Sequence, residues 1–389
     1  MQPYEIIGRY CKTAKPITVK WRGDKITEIC EASIKELDCN PYWIANPLFD
    51  IQINGFAGFD FQSSPDSINE DAILFAVERL NRACCARFFL TLITDRWEAM
   101  IKKLTKLKSI RDKNPTLKKA IAGWHIEGPF LSDKPGFCGA HNPKYMIDPS
   151  PEHIHQLRKV VHDDPVLLTI APERNGSLEF IDFATRNGIV VFIGHSDAPS
   201  QILKEAIKAG AKGFTHLGNG CPQLLDRKDN ILWRVLDLDV DDSFKISLIP
   251  DSIHLSPPLF RLIHKVLSPN QIIYISDAVS GADAPPGNYT LGELNISVEK
   301  DGAIWNSSKT GYAGSSLRPI DGILRSMKML NQHWQRVWKN YSDIPASLFN
   351  INTDLTPGSD ADFIILEAGN NGELKPVKSV ISGKVYTLN

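Results

Sequence analysis

Four side chains that could bind a metal ion or move a proton each follow a short apolar run of the sequence. They are Glu127 after "WHI", His195 after "VVFIG", His216 after "GFT" and Asp277 after "IIYIS". A carboxylate and two imidazoles suit a borderline divalent ion such as zinc and leave a fourth position to water or substrate. A second carboxylate nearby could then act as a base. The residue types therefore indicate a metal site with an adjoining proton acceptor.

Each of these residues also has a purely structural interpretation. A single histidine at a strand end is more often a hydrogen-bonded structural residue than a ligand, which applies to His195 and His216 taken singly. Glu127 could cap a backbone amide in a turn made by the following "GPF", and Asp277 could be a helix N-cap. His125 could be buried and structural. The coincidence of four strand ends favours the metal site.

The strands that end at these residues belong to a longer alternating pattern. Eight β-rich runs are separated by stretches of helical character: "IANPLFDIQIN", "ARFFLTLIT", "AIAGWHIE", "VLLTIAPE", "GIVVFIGHS", "KGFTH", "KISLIPD" and "QIIYISD". This alternation implies a parallel sheet, and eight repeats predict an α/β fold closed into a (β/α)8 TIM-type barrel. The C-terminal strand ends of a barrel converge on one face, so the four side chains would meet there. A doubly wound open sheet is the alternative.

One intervening segment, "SDAPSQILKEAIKAG", illustrates the predicted helices. Its apolar residues fall on one stripe, Ser196 or Asp197 could cap its start, and Gly210 could end it. The first strand is followed by "GFAGFDF" and not by Gly-x-Gly-x-x-Gly at the start of a helix, which disfavours a dinucleotide site.

Both ends of the chain have a different texture from the middle. The segment "PITVKWRGDKITEIC" alternates apolar and polar residues around Gly23 and Asp24, which predicts a hairpin. Near the other end, "ADFIILEAG" and "VKSVISGKVYTLN" read as short strands. We expect residues 1–45 and 355–389 to pair into one small all-β domain beside a barrel at residues 46–354.

Composition narrows the class of ligand. The 389 residues carry 44 basic and 45 acidic side chains, a formal net charge of -1, so neither nucleic acid nor an anionic membrane is expected as a partner. A small molecule fits better. No apolar run approaches a membrane span and the first residues lack a signal-peptide pattern, so we expect a cytoplasmic protein. The seven cysteines, never spaced as Cys-x-x-Cys, are expected to be small buried hydrophobes: Cys11, Cys30, Cys39, Cys84, Cys85, Cys138 and Cys221.

A set of motifs in one order makes the sequence similar to a known family. The strings "FDIQINGFAGFDF", "GWHIEGPFLSDKPGFCGAHNP", "TIAPE", "VFIGHSDA", "GFTHLGNG", "ISDAVSGADAPPGNYTLG", "GYAGSSL" and "TPGSDADFII" resemble the N-acetylglucosamine-6-phosphate deacetylases of the amidohydrolase superfamily. The resemblance runs from about residue 44 to the end. It implies a metal-bearing barrel, a small β-sandwich made from both chain ends, and a homodimer.

The resemblance also implies roles for individual residues. Glu127, His195 and His216 look like metal ligands and Asp277 like the catalytic acid and base. His141 resembles a substrate-contacting histidine that could polarise the acetyl carbonyl. The positions that match the family's contacts to the sugar phosphate are Ala140, Asn219, Gly220, Arg227, His254, Tyr312, Ala313 and Gly314. Some of these contacts reach in from the neighbouring subunit of such dimers, although Arg227 could equally be a surface residue of "LDRKDN".

Two polar residues of the first strand bear on the number of metal ions. In many metal-dependent barrel hydrolases both alternating polar positions of this strand are histidine, whereas here they are Gln52 and Asn54. In the family that the chain resembles, the Gln-x-Asn form implies one metal ion per chain in place of two. Zinc suits the ligand set best, with iron(II), cobalt and manganese as alternatives.

The expected reaction is hydrolysis of the N-acetyl group of N-acetylglucosamine 6-phosphate to glucosamine 6-phosphate and acetate, a step of amino-sugar catabolism. Three departures from the family's motifs, Gly220, Ser252 and Tyr312, fall on the sugar-binding side and leave other substrates open. These are another acetylated amino-sugar phosphate, such as N-acetylgalactosamine 6-phosphate, or a different amide. A sugar-phosphate-binding protein without catalysis is a further alternative.

Overall fold

The computed structural model describes residues 4–38, 41–309, 311–369 and 373–388. Its strands are β1 (Tyr4–Tyr10), β2 (Pro16–Arg22), β3 (Lys25–Glu31), β4 (Tyr42–Ala45), β5 (Leu48–Ile53), β6 (Gly55–Phe56), β7 (Phe59–Asp60), β8 (Cys85–Ile93), β9 (Ile121–Glu127), β10 (Val166–Ile170), β11 (Val190–Ile193), β12 (Gly213–Phe214), β13 (Lys245–Leu248), β14 (Ile272–Tyr274), β15 (Gly287–Leu291), β16 (Leu294–Val298), β17 (Ile304–Asn306), β18 (Phe363–Ala368), β19 (Leu374–Ile381) and β20 (Lys384–Thr387).

The helices connect and cover these strands. They are α1 (Ile34–Asp38), α2 (Glu70–Arg82), α3 (Trp97–Lys113), α4 (Pro115–Ala120), α5 (Pro151–Val161), α6 (Ser177–Arg186), α7 (Ser200–Lys208), α8 (Ile231–Leu236), α9 (Pro257–Val266), α10 (Pro319–Leu330), α11 (Trp334–Trp338) and α12 (Asp343–Ser347), with 3₁₀ turns at Pro143–Tyr145 and Lys339–Tyr341.

The eight predicted barrel strands are confirmed and form one parallel sheet. Their order is β5-β8-β9-β10-β11-β12-β13-β14, so neighbours in the sheet follow the order of the chain. A parallel bridge joins Ile53, the last residue of β5, to Ala278, four residues beyond the end of β14. Inward-facing apolar side chains, including Phe49, Phe89 and Phe192, fill the interior. Sequential order and joined ends are the features of a barrel and not of a doubly wound open sheet.

A buried carboxylate helps to close the seam between the first and last barrel strands. Asp50 of β5 accepts hydrogen bonds from the backbone N–H of Gln52 at 3.0 Å and of Ser276 at 2.9 Å, and from the Tyr341 hydroxyl at 2.6 Å. Burial raises the pKa of Asp50 to about 6 although these donors oppose the shift. The contacts connect the strand that carries Gln52 to the residue that precedes Asp277.

Strands from both ends of the chain form a second, seven-stranded sheet. Its order is β20-β19-β18-β4-β1-β2-β3. The predicted hairpin is confirmed, because β2 and β3 pair antiparallel around Gly23, whose φ of 60° belongs to the left-handed region that glycine favours. Pairing between β4 and β18 brings the two termini together. The domain boundaries at residues 45 and 354 stay a prediction.

The predicted cap of α7 is wrong, although the helix exists. The helix begins at Ser200 after Pro199, so Ser196 and Asp197 lie before it. The Ser196 hydroxyl and the Asp197 backbone N–H instead donate to the Glu173 carboxylate, both at 2.7 Å. The Ser196 hydroxyl therefore connects two loops instead of capping the helix.

The sequence analysis missed a three-stranded antiparallel sheet. Strands β15, β16 and β17 follow the last barrel strand and pair in that order. Their apolar residues Leu291, Ile296 and Ile304 pack with Val279, two residues after Asp277. The sheet therefore lies over the end of the barrel where the predicted site residues occur.

The cysteines are less buried than expected. The structure describes six, all as free thiols, of which Cys84 and Cys85 are buried. The other four, at positions 11, 30, 138 and 221, are partly exposed, and Cys39 lies outside the described residues. Across the described part of the chain, no helix has the length and apolar character needed to cross a membrane.

Replacing Tyr341 by phenylalanine is expected to destabilise the fold. Both Tyr341 and Asp50 are fully buried, so Asp50 would lose a donor that solvent cannot replace. We expect the free energy of unfolding in urea to fall by about 1.5–3 kcal/mol, the usual range for a hydrogen bond to a charged group. Tyr289→Phe is the matched control, because the Tyr289 hydroxyl donates to Pro285 at an exposed position. Equal losses in both variants would contradict the proposed role of the seam.

Candidate functional site

The four residues predicted from the strand ends meet at one end of the barrel. Glu127 is the last residue of β9, while His195, His216 and Asp277 follow β11, β12 and β14 within three residues. Together with His141 they line a cavity of about 80 Å³, the inner cavity. Their meeting is a consequence of barrel topology, which brings the C-terminal ends of all strands to one face.

The Glu127 carboxylate is the centre of this group. It accepts a hydrogen bond from Gln52 Nε2 at 3.0 Å on Oε1, and His216 Nε2 lies 2.9 Å from the same oxygen. His195 Nε2 is 3.5 Å from Oε1, and His141 Nε2 is 3.8 Å from Oε2. Three imidazoles and an amide thus face one buried carboxylate, which is only 2% exposed.

The backbone around the inner cavity adopts conformations that non-glycine residues rarely use. His195, His216 and Asp277 have φ values of 49°, 32° and 51°. Such strain persists only where surrounding contacts enforce it, and it clusters at functional sites. Gly220 is required by close packing, since a Cβ there would come within 2.7 Å of the His195 ring. This explains why the residue after Asn219 is glycine.

Hydrogen bonds to the outer ring nitrogens give His195 and His141 different chemistry. His195 Nδ1 lies 2.8 Å from the Phe137 carbonyl, which can only accept, so Nδ1 carries the proton and Nε2 keeps its lone pair. His141 Nδ1 faces Thr94, 3.3 Å from its backbone N–H and 2.8 Å from its hydroxyl, and with Nδ1 accepting from these donors Nε2 of the neutral ring carries the proton. His195 can therefore offer a lone pair to a cation, whereas His141 offers a hydrogen-bond donor.

Asp277 is held by the two amides of the first strand. Asn54 Nδ2 donates to Asp277 Oδ1 at 2.7 Å, and Gln52 Nε2 donates to the same oxygen at 3.1 Å. Gln52 therefore bridges Asp277 and Glu127 through its nitrogen. The possibility that Asp277 caps a helix is excluded, because the described residues after it form no helix until Pro319.

Burial and mutual charge set the protonation states of the site. Burial raises the pKa of Asp277 to about 6, and the negative charge of Glu127 adds to this shift. Burial alone would raise the pKa of Glu127, but the contacts with His195 and His216 outweigh it and hold that pKa well below its usual range. Burial, with the neighbouring His195, lowers the pKa of His141 to about 3, so this ring is neutral at pH 7.

Most of the residues assigned to the sugar phosphate by resemblance also line the inner cavity. These are Ala140, Asn219, Gly220, His254, Tyr312 and Gly314. Asp251 and Tyr312 hold the His254 ring in place. Asp251 Oδ2 lies 2.6 Å from His254 Nδ1, and the centre of the Tyr312 ring lies 5.3 Å from the centre of the His254 ring. Ser252 beside them has a φ of 63°, a conformation that glycine would adopt more easily.

Two of the assigned residues lie elsewhere. Ala313 is buried and lines a second, larger space of about 820 Å³ next to the inner cavity, the outer cleft. Arg227 lies on the exposed loop between β12 and α8 and does not line the inner cavity. The single chain therefore does not bring Arg227 to the other site residues.

The sequence analysis missed several residues that shape the site. Thr94 and the Phe137 carbonyl orient the two histidines, and Asp50 connects the strands beside Asp277. His125 is fully buried, as expected, with Nε2 2.8 Å from Thr169 Oγ1. These contacts depend on loops and layers that meet only in three dimensions, although the polar residues of "FDIQIN" and "LTLIT" in otherwise apolar strands could have hinted at Asp50 and Thr94.

The donor atoms fit a divalent cation. Glu127, His141 and His195 each offer one potential ligand atom, and these three atoms lie within 4.8 Å of one another. His216 adds a fourth group through its contact with Glu127, and its Nδ1 is buried without a partner among the described residues. Nitrogen and carboxylate oxygen donors of this kind suit zinc and similar ions.

Comparisons with known proteins agree with the motif resemblance. No family model matches the chain. The N-acetylglucosamine-6-phosphate deacetylase of Danio rerio is 28% identical over 346 residues, which span 85% of this chain and 82% of that protein. The protein of the same name from Vibrio furnissii is 30% identical over 235 residues, 60% of this chain and 57% of its own length.

Solved structures confirm the fold. A variant of N-acetyl-D-glucosamine-6-phosphate deacetylase from Mycobacterium smegmatis, in complex with N-acetyl-D-glucosamine-6-phosphate, has a TM-score of 0.84 and 21% identity over 99% of both chains. The N-acetylglucosamine-6-phosphate deacetylase of Thermotoga maritima has a TM-score of 0.82 and 24% identity, covering 99% of this chain and all of that one.

The metal content of two alanine variants tests which residues are ligands. We expect protein prepared without added metal to hold about one divalent ion per chain, because one carboxylate and its imidazoles provide one ligand set. Gln52→Ala should keep the ion, since Gln52 presents its nitrogen to Glu127, whereas His195→Ala should lose most of it. Elemental analysis measures both. Loss of the ion from Gln52→Ala alone would overturn this assignment.

Proposed function

We infer that the chain belongs to the N-acetylglucosamine-6-phosphate deacetylases of the amidohydrolase superfamily, and we propose that it hydrolyses the N-acetyl group of an amino-sugar phosphate. The products would be glucosamine 6-phosphate and acetate, a step of amino-sugar catabolism. The observation that carries the proposal is the convergence of Glu127, His195, His216 and Asp277 on one inner cavity of a barrel. These are the groups that hydrolysis of an unreactive amide requires.

We assign Glu127, His195 and His216 as the metal ligands and His141 as a donor to the substrate. The distances to Glu127 support this division, because the Nε2 atoms of His216 and His195 lie nearer to the carboxylate, at 2.9 and 3.5 Å, than that of His141 at 3.8 Å. The Phe137 carbonyl holds the proton of His195 on Nδ1, which leaves Nε2 free to coordinate. Zinc fits the ligand set best, and iron(II), cobalt and manganese remain alternatives.

The chemistry then divides between the ion and the protein. Glu127, His195 and His216 would hold a divalent ion, which when bound would activate a water at neutral pH and polarise the amide carbonyl. Asp277 takes the proton from the attacking water and returns it to the departing amine, for which its pKa of about 6 is well placed. His141 Nε2 donates to the carbonyl oxygen as negative charge develops there, an interaction typically worth a few kcal/mol.

The sugar phosphate would lie on the side of Asn219, Gly220 and His254. Arg227 has the planar fork that binds two phosphate oxygens at once. Its position on an exposed loop, beside a Leu224 side chain that is 94% exposed, supports a homodimer in which Arg227 completes the neighbouring site. An exposed apolar side chain of this size is commonly covered by a partner surface.

Two alternatives differ in substrate or in chemistry. An epimer such as N-acetylgalactosamine 6-phosphate would use the same metal and acid/base groups. A binding protein without catalysis has no need of a proton acceptor with a raised pKa, so Asp277 argues against it. A cytoplasmic location stays a prediction, supported by the free thiols of the six described cysteines.

Replacing Asp277 by asparagine tests catalysis directly. The amide keeps the size of the side chain but cannot accept the proton, so kcat for acetate release from N-acetylglucosamine 6-phosphate should fall about 10²–10⁴-fold. Binding of the substrate, measured by calorimetry, should be retained. Asp239→Asn, an exposed carboxylate outside the inner cavity, is the control. No acetate release by the metal-loaded wild type would refute the proposed function.

Mixed dimers test the role of Arg227. Arg227→Ala should raise KM for the 6-phosphate substrate and have little effect on N-acetylglucosamine, which lacks the phosphate. Coexpression of Arg227→Ala with Asp277→Asn should restore about a quarter of wild-type activity. About half of the dimers would contain one chain of each variant, and each of these mixed dimers would have one intact site of two. No recovery would mean that Arg227 acts only within its own subunit.

A further inference from the structure

The inner cavity adjoins the much larger outer cleft and shares part of its lining. Their volumes are about 80 Å³ and about 820 Å³. The shared walls are Ile93, Gly139, Ala140, His141, Leu291 and Tyr312. A substrate group that extends past His141 would therefore enter space that already exists in the fold.

One side of the junction between the two spaces is apolar. Ile93, Ala140 and Leu291 line both spaces and belong to one hydrophobic cluster with the sheet of β15–β17, whereas His141 makes the shared wall polar on another side. The apolar side favours hydrocarbon at the junction, while many residues that line the outer cleft beyond it are polar or charged.

The outer part of the cleft is a built structure and not a gap between loose loops. Glu293, in the turn between β15 and β16, accepts hydrogen bonds from the Tyr145 hydroxyl at 3.0 Å and from Asn142 Nδ2 at 3.3 Å. These bonds connect the loop after His141 to the three-stranded sheet. The same loop carries Ala140, which lines the junction. The hydrogen bonds to Glu293 therefore also hold the junction in place.

The proposed orientation of the substrate directs its acyl group toward this cleft. In a hexosamine 6-phosphate, the N-acyl group on C2 and the phosphate-bearing carbon on C5 lie at opposite positions of the ring. Asn219, Gly220 and His254, which we assign to the phosphate side, line the inner cavity but not the outer cleft. With the carbonyl beside His141, the rest of the acyl group extends away from the phosphate.

We propose that the outer cleft accommodates acyl chains longer than acetyl, so that the enzyme hydrolyses N-acyl hexosamine 6-phosphates with short alkyl chains. The inference rests on the proposed function and specifies its substrate class. The reaction balances without a co-reactant, because water adds across the amide C–N bond to give the free amine and the carboxylate of the chain. His141 and Asp277 keep the roles that they have with acetyl.

A series of substrates tests the proposal with the metal-loaded, full-length protein. N-acetyl-, N-butyryl- and N-hexanoylglucosamine 6-phosphate are compared by release of free amine. We expect kcat/KM for the butyryl and hexanoyl compounds to stay within about tenfold of the acetyl value, whereas a closed pocket would lose about tenfold or more for a single misplaced methylene. Loss of all three activities would refute the proposed function itself, whereas loss of only the longer substrates would overturn this inference alone.

A variant within the cleft locates the chain. Ala99 of α3 lines the outer cleft but not the inner cavity, and it is partly buried. Ala99→Phe should lower kcat/KM for the hexanoyl substrate about tenfold while the acetyl value stays within about threefold. The phenylalanine ring would occupy part of the outer cleft and would clash only with the longer chain. Ala99→Ser, which adds little volume, should change neither. Equal losses for both substrates in Ala99→Phe would overturn the assignment of the cleft.

Discussion

The burial of the Glu127 carboxylate is the constraint on which the site depends. A carboxylate that is 2% exposed is costly unless cations or donors surround it, and here His216, His195 and Gln52 do so. Removing any one of these partners leaves charge without compensation. The arrangement therefore selects a positively charged occupant for the inner cavity, and it holds the neighbouring rings in the orientations that hydrolysis needs.

The barrel connects the buried Glu127 carboxylate to Asp277, the proposed acid/base residue. Gln52 contacts both Glu127 and Asp277, so the two carboxylates are spaced by one amide from the first strand. Asp50 beneath them ties the first strand to Ser276, directly before Asp277. Burial and the neighbouring charge of Glu127 raise the pKa of Asp277, the carboxylate proposed to exchange protons, whereas the hydrogen bond from Asn54 opposes this shift.

Much of this could be predicted from the sequence because it depends on periodicity and topology. Eight apolar runs predicted the barrel, and barrel topology then placed Glu127, His195, His216 and Asp277 together. What the sequence missed depends on contacts between loops. The sheet of β15–β17, the orientation of His141 by Thr94 and the true start of α7 arise from tertiary packing that overrides local propensity. Arg227 shows the same limit, since the single chain does not bring it to the inner cavity.

The most direct test of the central claim is anomalous X-ray diffraction from crystals of the metal-bound protein, recorded at the absorption edge of the bound element. We expect one ion per chain, with a Glu127 oxygen and the Nε2 atoms of His195 and His216 at about 2.0–2.2 Å from it. Gln52 and Asn54 should lie nearby without coordinating it. An ion bound directly by either amide, an ion ligated by His141 in place of His216, or a second ion of equal occupancy would contradict the account.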